Sequence, residues 1–252
     1  MTKRDQAHFR ELWKLKVDSG EILKAYRAGA NQRVDKALQI VTSGERLLDI
    51  GCGTGILVSE AHSQGRFAEV YGIDISDIAV DIARQQGVNA QVINLSSDNL
   101  PYPDNFFDAI TILSTLQYIY QPQIALAECY RTLRRNGTLL LTVPNMRSVG
   151  KLYKLMIKGY FPKSSGDIAG HDGGAINYFC FRNLVTLLTK TGFNIDFACG
   201  IFCRPMIMHK VTDKGLLGAL KREFFSGEVF VKSTKVTTIR NPGRLTGSNV
   251  ID

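Results

Sequence analysis

Short apolar stretches alternate with helical patterns through the middle of the chain. Stretches at 47–50, 69–74 and 107–114 are mainly apolar and have the length of single strands. Between them, apolar residues recur at helical spacing in 78–86 and 122–133. Continuously apolar strands that alternate with helices predict an α/β fold, in which helices cover both faces of a parallel sheet.

The second half of the chain repeats this order. It contains a strand at 137–143, a helix at 181–191 and a strand at 193–198. Two segments could supply the last strand, 227–232 and, as an alternative, 206–211. These elements are expected to extend the same sheet.

Three regions lie outside the regular alternation. Residues 1–43 place apolar side chains at helical spacing and predict one or two helices that cover the cleft. Residues 146–180 interrupt the order of strands and helices, as a lid insertion would. Residues 233–252 are polar and rich in turn signals, which predicts a disordered tail. The central domain is therefore assigned to residues 44–232.

Glycines follow the first strand at every second position. Gly51, Gly53 and Gly55 belong to the run Leu-Leu-Asp-Ile-Gly-Cys-Gly-Thr-Gly at 47–55. Such a turn leaves no side chain between the main chain and a ligand, and it suits a nucleotide-sized molecule. The dinucleotide fingerprint G-x-G-x-x-G would need glycine where this chain has Ile56. A nicotinamide-dependent reductase is therefore kept only as an alternative.

Further polar residues mark the ends of the following strands. Asp74 ends the strand at 69–74 and lies 19 residues after Gly55, which leaves room for one helix. Asn94 opens the loop that leads to the fourth strand. The features fall at strand ends in the order that a single cleft requires, so together they favour ligand binding over a purely structural glycine turn.

Over about residues 44–145, these motifs resemble the class I S-adenosylmethionine-dependent methyltransferases. Asp49 with the glycine turn is similar to the first motif of that family, and 94–108 is similar to its adenine-binding loop. The resemblance implies a Rossmann-like, doubly wound sheet of seven strands, mostly parallel, with an antiparallel last strand. It also implies an enzyme that uses S-adenosyl-L-methionine as its cofactor.

The resemblance further implies a set of cofactor-binding positions. They are Asp49, Gly51, Cys52, Gly53, Gly55, Asp74, Ile75, Asn94, Leu95 and Ser114. Asp74 would hold the ribose, and Ile75 and Leu95 would pack on the adenine. Asn94 stands where the family has a carboxylate, so its contact with the adenine amino group should be weaker.

The remaining positions would hold the methionine part of the cofactor. The backbone at 51–53 would lie along it, Asp49 would orient the turn, and Ser114 would lie near the amino acid group. Asp108 is interpreted differently, from its own position: a carboxylate one residue into an apolar strand more often accepts hydrogen bonds from neighbouring backbone than binds a ligand.

The side that would bind the methyl acceptor departs from the family. Leu-Gln-Tyr-Ile at 116–119 occupies the place where many relatives carry histidine. The loop at 164–174 contains His171 and Asp172, which together with Tyr178 are candidate acceptor contacts. His171 could serve as a base. The alternative is a solvated loop histidine, and no catalytic residue is assigned.

The segment 147–163 concentrates positive charge, with five basic side chains and no acid. Read as a helix, it places an apolar stripe opposite three lysines. The stripe consists of Val149, Leu152, Tyr153, Met156, Ile157 and Tyr160. The favoured interpretation is a lid helix that packs this stripe on the domain. Contact with an anionic membrane surface, or attraction of a phosphorylated acceptor, are the alternatives.

Composition and charge limit the other function classes. The net charge is +8, yet residues 47–144 carry five basic and ten acidic groups, so the positive charge belongs to the two flanks. There is no run of 18 apolar residues and the start of the chain is charged and polar, which predicts a cytoplasmic protein without a membrane span. The five cysteines match no zinc or redox spacing, and no metal site is expected.

These observations predict a methyltransferase that uses S-adenosyl-L-methionine on a small-molecule acceptor, with oxygen as the expected acceptor atom from the resemblance. A nucleic-acid methyltransferase would exploit the basic flanks. However, the chain lacks an Asn/Asp-Pro-Pro-Tyr type motif after its fourth strand, where 113–116 reads Leu-Ser-Thr-Leu. A relative that binds the cofactor without transferring methyl, the acceptor itself and the oligomeric state stay open.

Overall fold

The fold was analysed in a computed structural model that describes residues 3–19, 32–162, 174–201 and 223–236. Several predictions fall outside these ranges. They concern His171 and Asp172, the alternative strand at 206–211 and the tail beyond 236.

A seven-stranded sheet with the order β3-β2-β1-β4-β5-β7-β6 forms the centre of the fold. Strands β1 to β5 pair in parallel, and β7 is inserted antiparallel between β5 and β6. This confirms the predicted fold class. The strands are β1 (Gly44–Ile50), β2 (Phe67–Asp74), β3 (Asn89–Val92), β4 (Phe107–Leu113), β5 (Leu133–Pro144), β6 (Phe193–Ile201) and β7 (Glu228–Lys235).

Helices lie on both faces of this sheet. They are α1 (Lys3–Asp18), α2 (Gln32–Ile40), α3 (Ile56–Ser63), α4 (Asp77–Gln85), α5 (Pro122–Thr132), α6 (Val149–Met156) and α7 (Phe181–Lys190), with a 3-10 turn at Leu116–Tyr118. Buried residues of α2, α3 and α4 form one apolar cluster, and those of α5 and α7 belong to the other. Neighbouring strand residues alternate between the clusters, as Leu47 and Leu48 do. None of the helices in the described ranges is long and apolar enough to span a bilayer.

Strand β7 extends beyond its predicted end at 232, because polar side chains find partners inside the sheet. Ser233 is buried and donates to the Leu139 carbonyl over 3.4 Å. The Thr234 hydroxyl donates to Asp196 Oδ2 over 2.6 Å, so the antiparallel pairing reaches Lys235. A hydropathy pattern along one segment does not contain these partners, which come from β5 and β6.

Helix α6 forms where the basic segment predicted a helix, but the favoured interpretation of its packing is wrong. None of its residues is buried. Tyr153 and Met156 of the apolar stripe are exposed, as is Ile157 directly after the helix. The partly buried positions are Lys151 and Leu152. The helix therefore contacts the protein through these two residues, and most of the apolar stripe faces solvent.

Asp108 ties the start of β1 to β4. Its Oδ2 accepts the backbone N–H groups of Glu45 and Arg46, each over 2.7 Å, and Arg134 pairs with its Oδ1. The contact is close: a Cβ at Gly44 would lie 2.6 Å from the Asp108 Cβ. The predicted structural role of this carboxylate is confirmed.

Replacing this carboxylate is therefore expected to destabilise the fold. Asp108→Ala leaves two partly buried N–H groups without an acceptor and should lower the free energy of unfolding by about 2–4 kcal/mol, as measured by urea denaturation. Asp81→Ala is the control, because Asp81 forms only an exposed ion pair with Arg84 at 3.1 Å. Equal stability losses in the two variants would contradict this role.

Candidate functional site

A cavity of about 670 Å³ opens at the carboxyl edge of the sheet. The ends of β1, β2 and β4 border it, as does the start of the antiparallel β7. Helix α1 forms the opposite wall through Phe9, Leu12, Trp13 and Lys16. Carboxyl ends of parallel strands, where the connections diverge, are the usual place for ligands in α/β folds.

The glycine turn after β1 is held by hydrogen bonds to β2. The N–H groups of Gly51 and Cys52 both donate to the Ile73 carbonyl, over 2.7 and 3.0 Å. Gly53 has φ +53° and donates its N–H to Asp74 Oδ2 over 2.9 Å. A Cβ at Gly53 would lie 2.8 Å from the Trp13 ring, so glycine also permits the close approach of α1.

Asp74 is the acceptor that joins the turn to the next helix. Besides the Gly53 N–H, it accepts the Ser76 N–H at Oδ1 over 3.0 Å. Burial raises the pKa of the Asp74 carboxyl, while these backbone donors and Lys16 lower it. Each carboxylate oxygen can accept more than one hydrogen bond, and Asp74 borders the cavity, so it can also accept from ligand hydroxyl groups.

Asp49 lies beneath the turn at the end of β1, where it is buried at the edge of the cavity. Its Oδ1 accepts the Thr111 hydroxyl of β4 over 2.6 Å. Burial raises the pKa of Asp49 to about 7, against the lowering effect of the Thr111 hydrogen bond. The nearby charge of Asp74 raises it further. Asp49 therefore changes protonation near neutral pH in the folded protein.

The predicted adenine-side residues meet at the ends of β2 and β3. Ile75, Asn94 and Leu95 all border the cavity. The Asn94 side-chain oxygen already accepts the Ser96 N–H over 3.1 Å, which fixes the local turn. A carbonyl oxygen has two lone pairs, so one stays for a ligand amino group.

Ser114 stands at the end of β4 in an unusual backbone conformation. Its φ is +50°, and its N–H donates to both the carbonyl and the hydroxyl of Thr142 over 3.0 Å. Gln117 donates its side-chain amide to the Ser114 carbonyl over 2.8 Å. A non-glycine residue in this region costs free energy, which the surrounding hydrogen bonds offset.

Gln117 is a site residue whose role was not predicted. Its side chain is buried and borders the cavity, and because Nε2 faces the Ser114 carbonyl, Oε1 must face elsewhere. That oxygen has no hydrogen-bond partner among the described residues. A buried acceptor without a donor is unfavourable, so a ligand N–H or O–H at this point of the cavity would be stabilised.

Glu228, at the start of β7, was also not predicted. It borders the cavity, its Oε1 lies 3.4 Å from Arg33 Nη1, and its buried Oε2 has no hydrogen-bond partner among the described residues. Burial raises the pKa of Glu228, and the positive charges of Arg33 and Lys151 lower it. No motif points to this carboxylate, because only the insertion of β7 beside β5 brings it to the cleft.

Other predicted residues have a less direct relation to the cavity. Gly55 does not border it. This residue has φ +78° and directly precedes α3, and a Cβ at this position would lie 3.0 Å from Ala83 and Val88. The Cys52 thiol is buried in the apolar cluster, and burial raises its pKa, so its main chain is the part suited to a ligand. Tyr178 is not among the cavity residues.

Tyr178 instead packs edge to face on Phe161, with ring centroids 5.2 Å apart. His171 and Asp172 lie outside the described residues, so their predicted role as acceptor contacts stays a prediction. Within the described ranges, no group of three or more His, Cys, Asp or Glu side chains is arranged to hold a metal ion.

Comparison with known proteins agrees with this geometry. Residues 48–141 match the family described as "Methyltransferase domain". The chain is 28% identical over 180 residues to the demethylmenaquinone methyltransferase of Thermotoga maritima, which covers 65% of this chain and 79% of that protein. It is 31% identical over 148 residues to the ubiquinone/menaquinone biosynthesis C-methyltransferase UbiE of Azotobacter vinelandii, which covers 55% of this chain.

The chain spans 58% of the length of the Azotobacter relative and less than two thirds of the other UbiE proteins it matches. Solved structures share the fold. A S-adenosylmethionine-dependent methyltransferase from Thermotoga maritima has a TM-score of 0.62 at 22% identity, covering 90% of this chain and 100% of that one. One from Archaeoglobus fulgidus has a TM-score of 0.60 at 18% identity, covering 85% and 94%.

Over residues 48–141 the chain matches the methyltransferase domain family, and its fold is shared with solved S-adenosylmethionine-dependent methyltransferases. Its cofactor is S-adenosyl-L-methionine. The residues present fit that molecule: the Asp74 carboxylate, with free lone pairs, lies beside a bare glycine turn, and apolar Ile75 and Leu95 follow β2 and β3 at the same edge. The individual contacts of these residues with the cofactor stay predictions.

The raised pKa of Asp49 gives the stability of the protein a defined pH dependence. The folded form keeps a proton that the unfolded form loses near pH 4, so the free energy of unfolding should fall between about pH 4 and 7 by up to about 4 kcal/mol. Asp49→Asn cannot ionise and still accepts the Thr111 hydroxyl. Urea denaturation should therefore show the variant gaining stability relative to wild type as the pH rises.

Asp81→Asn on the surface is the matched control and should follow the wild-type pH profile. If the free energy of unfolding changes between about pH 4 and 7 by the same amount in wild type and in Asp49→Asn, the pKa of Asp49 is not raised in the folded protein.

Proposed function

We propose that the protein transfers the methyl group of S-adenosylmethionine to a small, largely apolar molecule that carries an ionisable hydroxyl on a conjugated ring. The observation that carries this proposal is one continuous cavity lined by Asp74 and the glycine turn on one side and by the partly buried Glu228 on the other. The side with Asp74 suits the nucleoside of the cofactor. The side with Glu228 suits a hydroxyl group that releases its proton.

The strand order supports a division of the cavity into two parts. The residues that fit the cofactor follow β1, β2 and β3 on one side of the sheet. The cavity continues past β4 to Pro144, the last residue of β5, and to Glu228 on β7. A nucleoside on the first side leaves the β5–β7 side for the methyl acceptor.

The walls of the acceptor side favour an apolar molecule. Phe9 and Tyr118 contribute aromatic rings, and Val34 and Pro144 contribute aliphatic surface. Phe9 and Tyr118 pack edge to face, with ring centroids 5.3 Å apart. Two relatives are named for demethylmenaquinone and for ubiquinone/menaquinone biosynthesis, which supports a conjugated ring as the acceptor.

Glu228 is proposed as the base that receives the hydroxyl proton. Arg33 orients Oε1, which leaves Oε2 for a proton donor. Burial raises the pKa of Glu228, which makes it a better proton acceptor than a solvated glutamate, and Arg33 and Lys151 stabilise negative charge left on the acceptor. The bound cofactor supplies an electrophilic methyl group, and the enclosing walls hold both molecules together and exclude water.

Removal of the hydroxyl proton by Glu228 would permit methyl transfer either to the oxygen or to a ring carbon. Loss of the hydroxyl proton leaves a negative charge that the oxygen shares with carbon atoms of a conjugated ring. Oxygen is the acceptor predicted from the family resemblance, whereas the name of the Azotobacter relative specifies carbon. Mass spectrometry after treatment with hot hydriodic acid distinguishes the two products, because an O-methyl ether loses its methyl group as methyl iodide and a C-methyl compound keeps it.

Asp74 should be essential for cofactor affinity. Asp74→Asn directs an amide NH₂ at either the Gly53 or the Ser76 N–H, so it disturbs the turn and removes an acceptor for the ribose. Calorimetry should show S-adenosylhomocysteine binding at least about tenfold weaker than to wild type. Asp77→Asn is the control, because this neighbouring carboxylate pairs with Arg10 at 3.2 Å outside the cavity. Wild-type binding of NADH without binding of S-adenosylhomocysteine would overturn the assignment.

Glu228 should affect transfer but not cofactor binding. With methyl-tritiated S-adenosylmethionine and a metabolite extract, Glu228→Gln should bind S-adenosylhomocysteine normally and transfer methyl about 10²–10⁴-fold more slowly. Its rate should also lose the acidic limb of the wild-type pH profile. Glu223→Gln, which disturbs an ion pair with Arg147 at 2.8 Å, is the control. An unchanged rate and pH profile in Glu228→Gln would exclude Glu228 as the base.

A further inference from the structure

Among the described residues, exposed apolar side chains are concentrated around α6. Of the fourteen large apolar side chains exposed among the described residues, seven lie between 149 and 161. Met156 is 76% exposed, and Ile157 and Tyr160 are each 70% exposed. Single exposed apolar residues are ordinary, but a contiguous group of this size marks an interaction surface.

The same segment is positively charged. Between 147 and 162 the chain contains Arg147, Lys151, Lys154 and Lys158 and no acidic residue. Arg147 is paired with Glu223, whereas Lys154 and Lys158 are exposed, and Lys158 Nζ lies 5.8 Å from the Tyr153 ring centre. Lysines therefore border the apolar side chains without neutralising acids in the segment.

The orientation of α6 exposes its apolar side chains and its lysines on the same part of the surface. Its partly buried residues are Lys151 and Leu152, and Lys151 also borders the cavity. The segment begins five residues after Pro144, at the carboxyl edge of the sheet. Consequently the apolar face points away from the protein beside the entrance to the functional site.

We propose that α6 and residues 157–161, called here the docking segment, bind an anionic lipid surface. The helix lies in the plane of the interface, with Met156, Ile157 and Tyr160 at the boundary between headgroups and acyl chains. Lys154 and Lys158 reach back to lipid phosphates, since long basic side chains extend along an apolar surface to place their charge in the polar layer.

Charge complementarity is what selects this partner. An apolar face alone would suit a second copy of the chain equally well, but a twofold contact would bring the lysines of two docking segments together without acids to balance them. An anionic bilayer offers negative charge over its whole surface and an apolar layer directly beneath it.

Vesicle flotation tests the proposal with the full chain. The protein is mixed with vesicles of phosphatidylcholine alone or of phosphatidylcholine with about one third phosphatidylglycerol, at about 50 mM and about 500 mM salt. Binding is expected with the anionic vesicles at low salt, and it should decrease at high salt. Absence of binding to anionic vesicles at low salt would overturn the proposal.

Two pairs of variants separate the apolar and the electrostatic contributions. Met156→Asp with Ile157→Asp should abolish flotation. Its control, Tyr120→Asp with Ile124→Asp, changes two other exposed apolar side chains outside the docking segment. Lys154→Ala with Lys158→Ala should weaken binding about 25-fold, since each basic side chain near an anionic surface contributes about fivefold. Its control is Arg182→Ala with Lys190→Ala, two exposed charges on α7.

The outcomes distinguish the partners that the docking segment could bind. Binding that survives Met156→Asp with Ile157→Asp but fails in the lysine variant indicates adhesion by charge alone and contradicts insertion. A dimer in light scattering that the same apolar variant disperses, without vesicle binding, assigns the surface to a second copy. Because all these substitutions lie outside the predicted cofactor contacts, S-adenosylhomocysteine binding should be unchanged, which distinguishes failure here from failure of the proposed function.

Discussion

The hydrogen bond between the Gly53 N–H and Asp74 Oδ2 is the constraint on which the cofactor half of the site depends. It joins the turn after β1 to the end of β2, so that a backbone with no side chain and a carboxylate face the same space. Asp74 also accepts the Ser76 N–H and thereby sets the start of α4. One buried carboxylate therefore fixes the turn, the next helix and the wall of the cavity.

Sequence patterns predicted those parts of the molecule whose partners are near in the chain or repeat regularly. Parallel strands, the helices between them and the turn at 51–55 all carry their signal locally. Asp108 could be assigned from its position in an apolar strand. By contrast, the extent of β7 depends on Asp196 and Leu139, which lie 38 and 94 residues away in the chain from the side chains they bind.

Two residues of the cavity were not predicted, for the same physical reason. Glu228 and Gln117 have no motif, and their importance arises from burial and from unsatisfied oxygens that only the folded cavity reveals. The packing of α6 was misjudged because amphipathic spacing shows that a helix has an apolar face but not what covers that face. Tyr178 packs on Phe161, and its predicted contact with the acceptor stays a prediction.

The insertion of β7 between β5 and β6 has a consequence for how the protein matures during synthesis. A ribosome releases the cofactor half, through β4, long before residues 228–235 emerge, so the glycine turn and Asp74 can assemble early. Until β7 arrives, however, the facing edges of β5 and β6 keep unpaired backbone groups. A nascent chain therefore completes its sheet and gains Glu228 in the same late step.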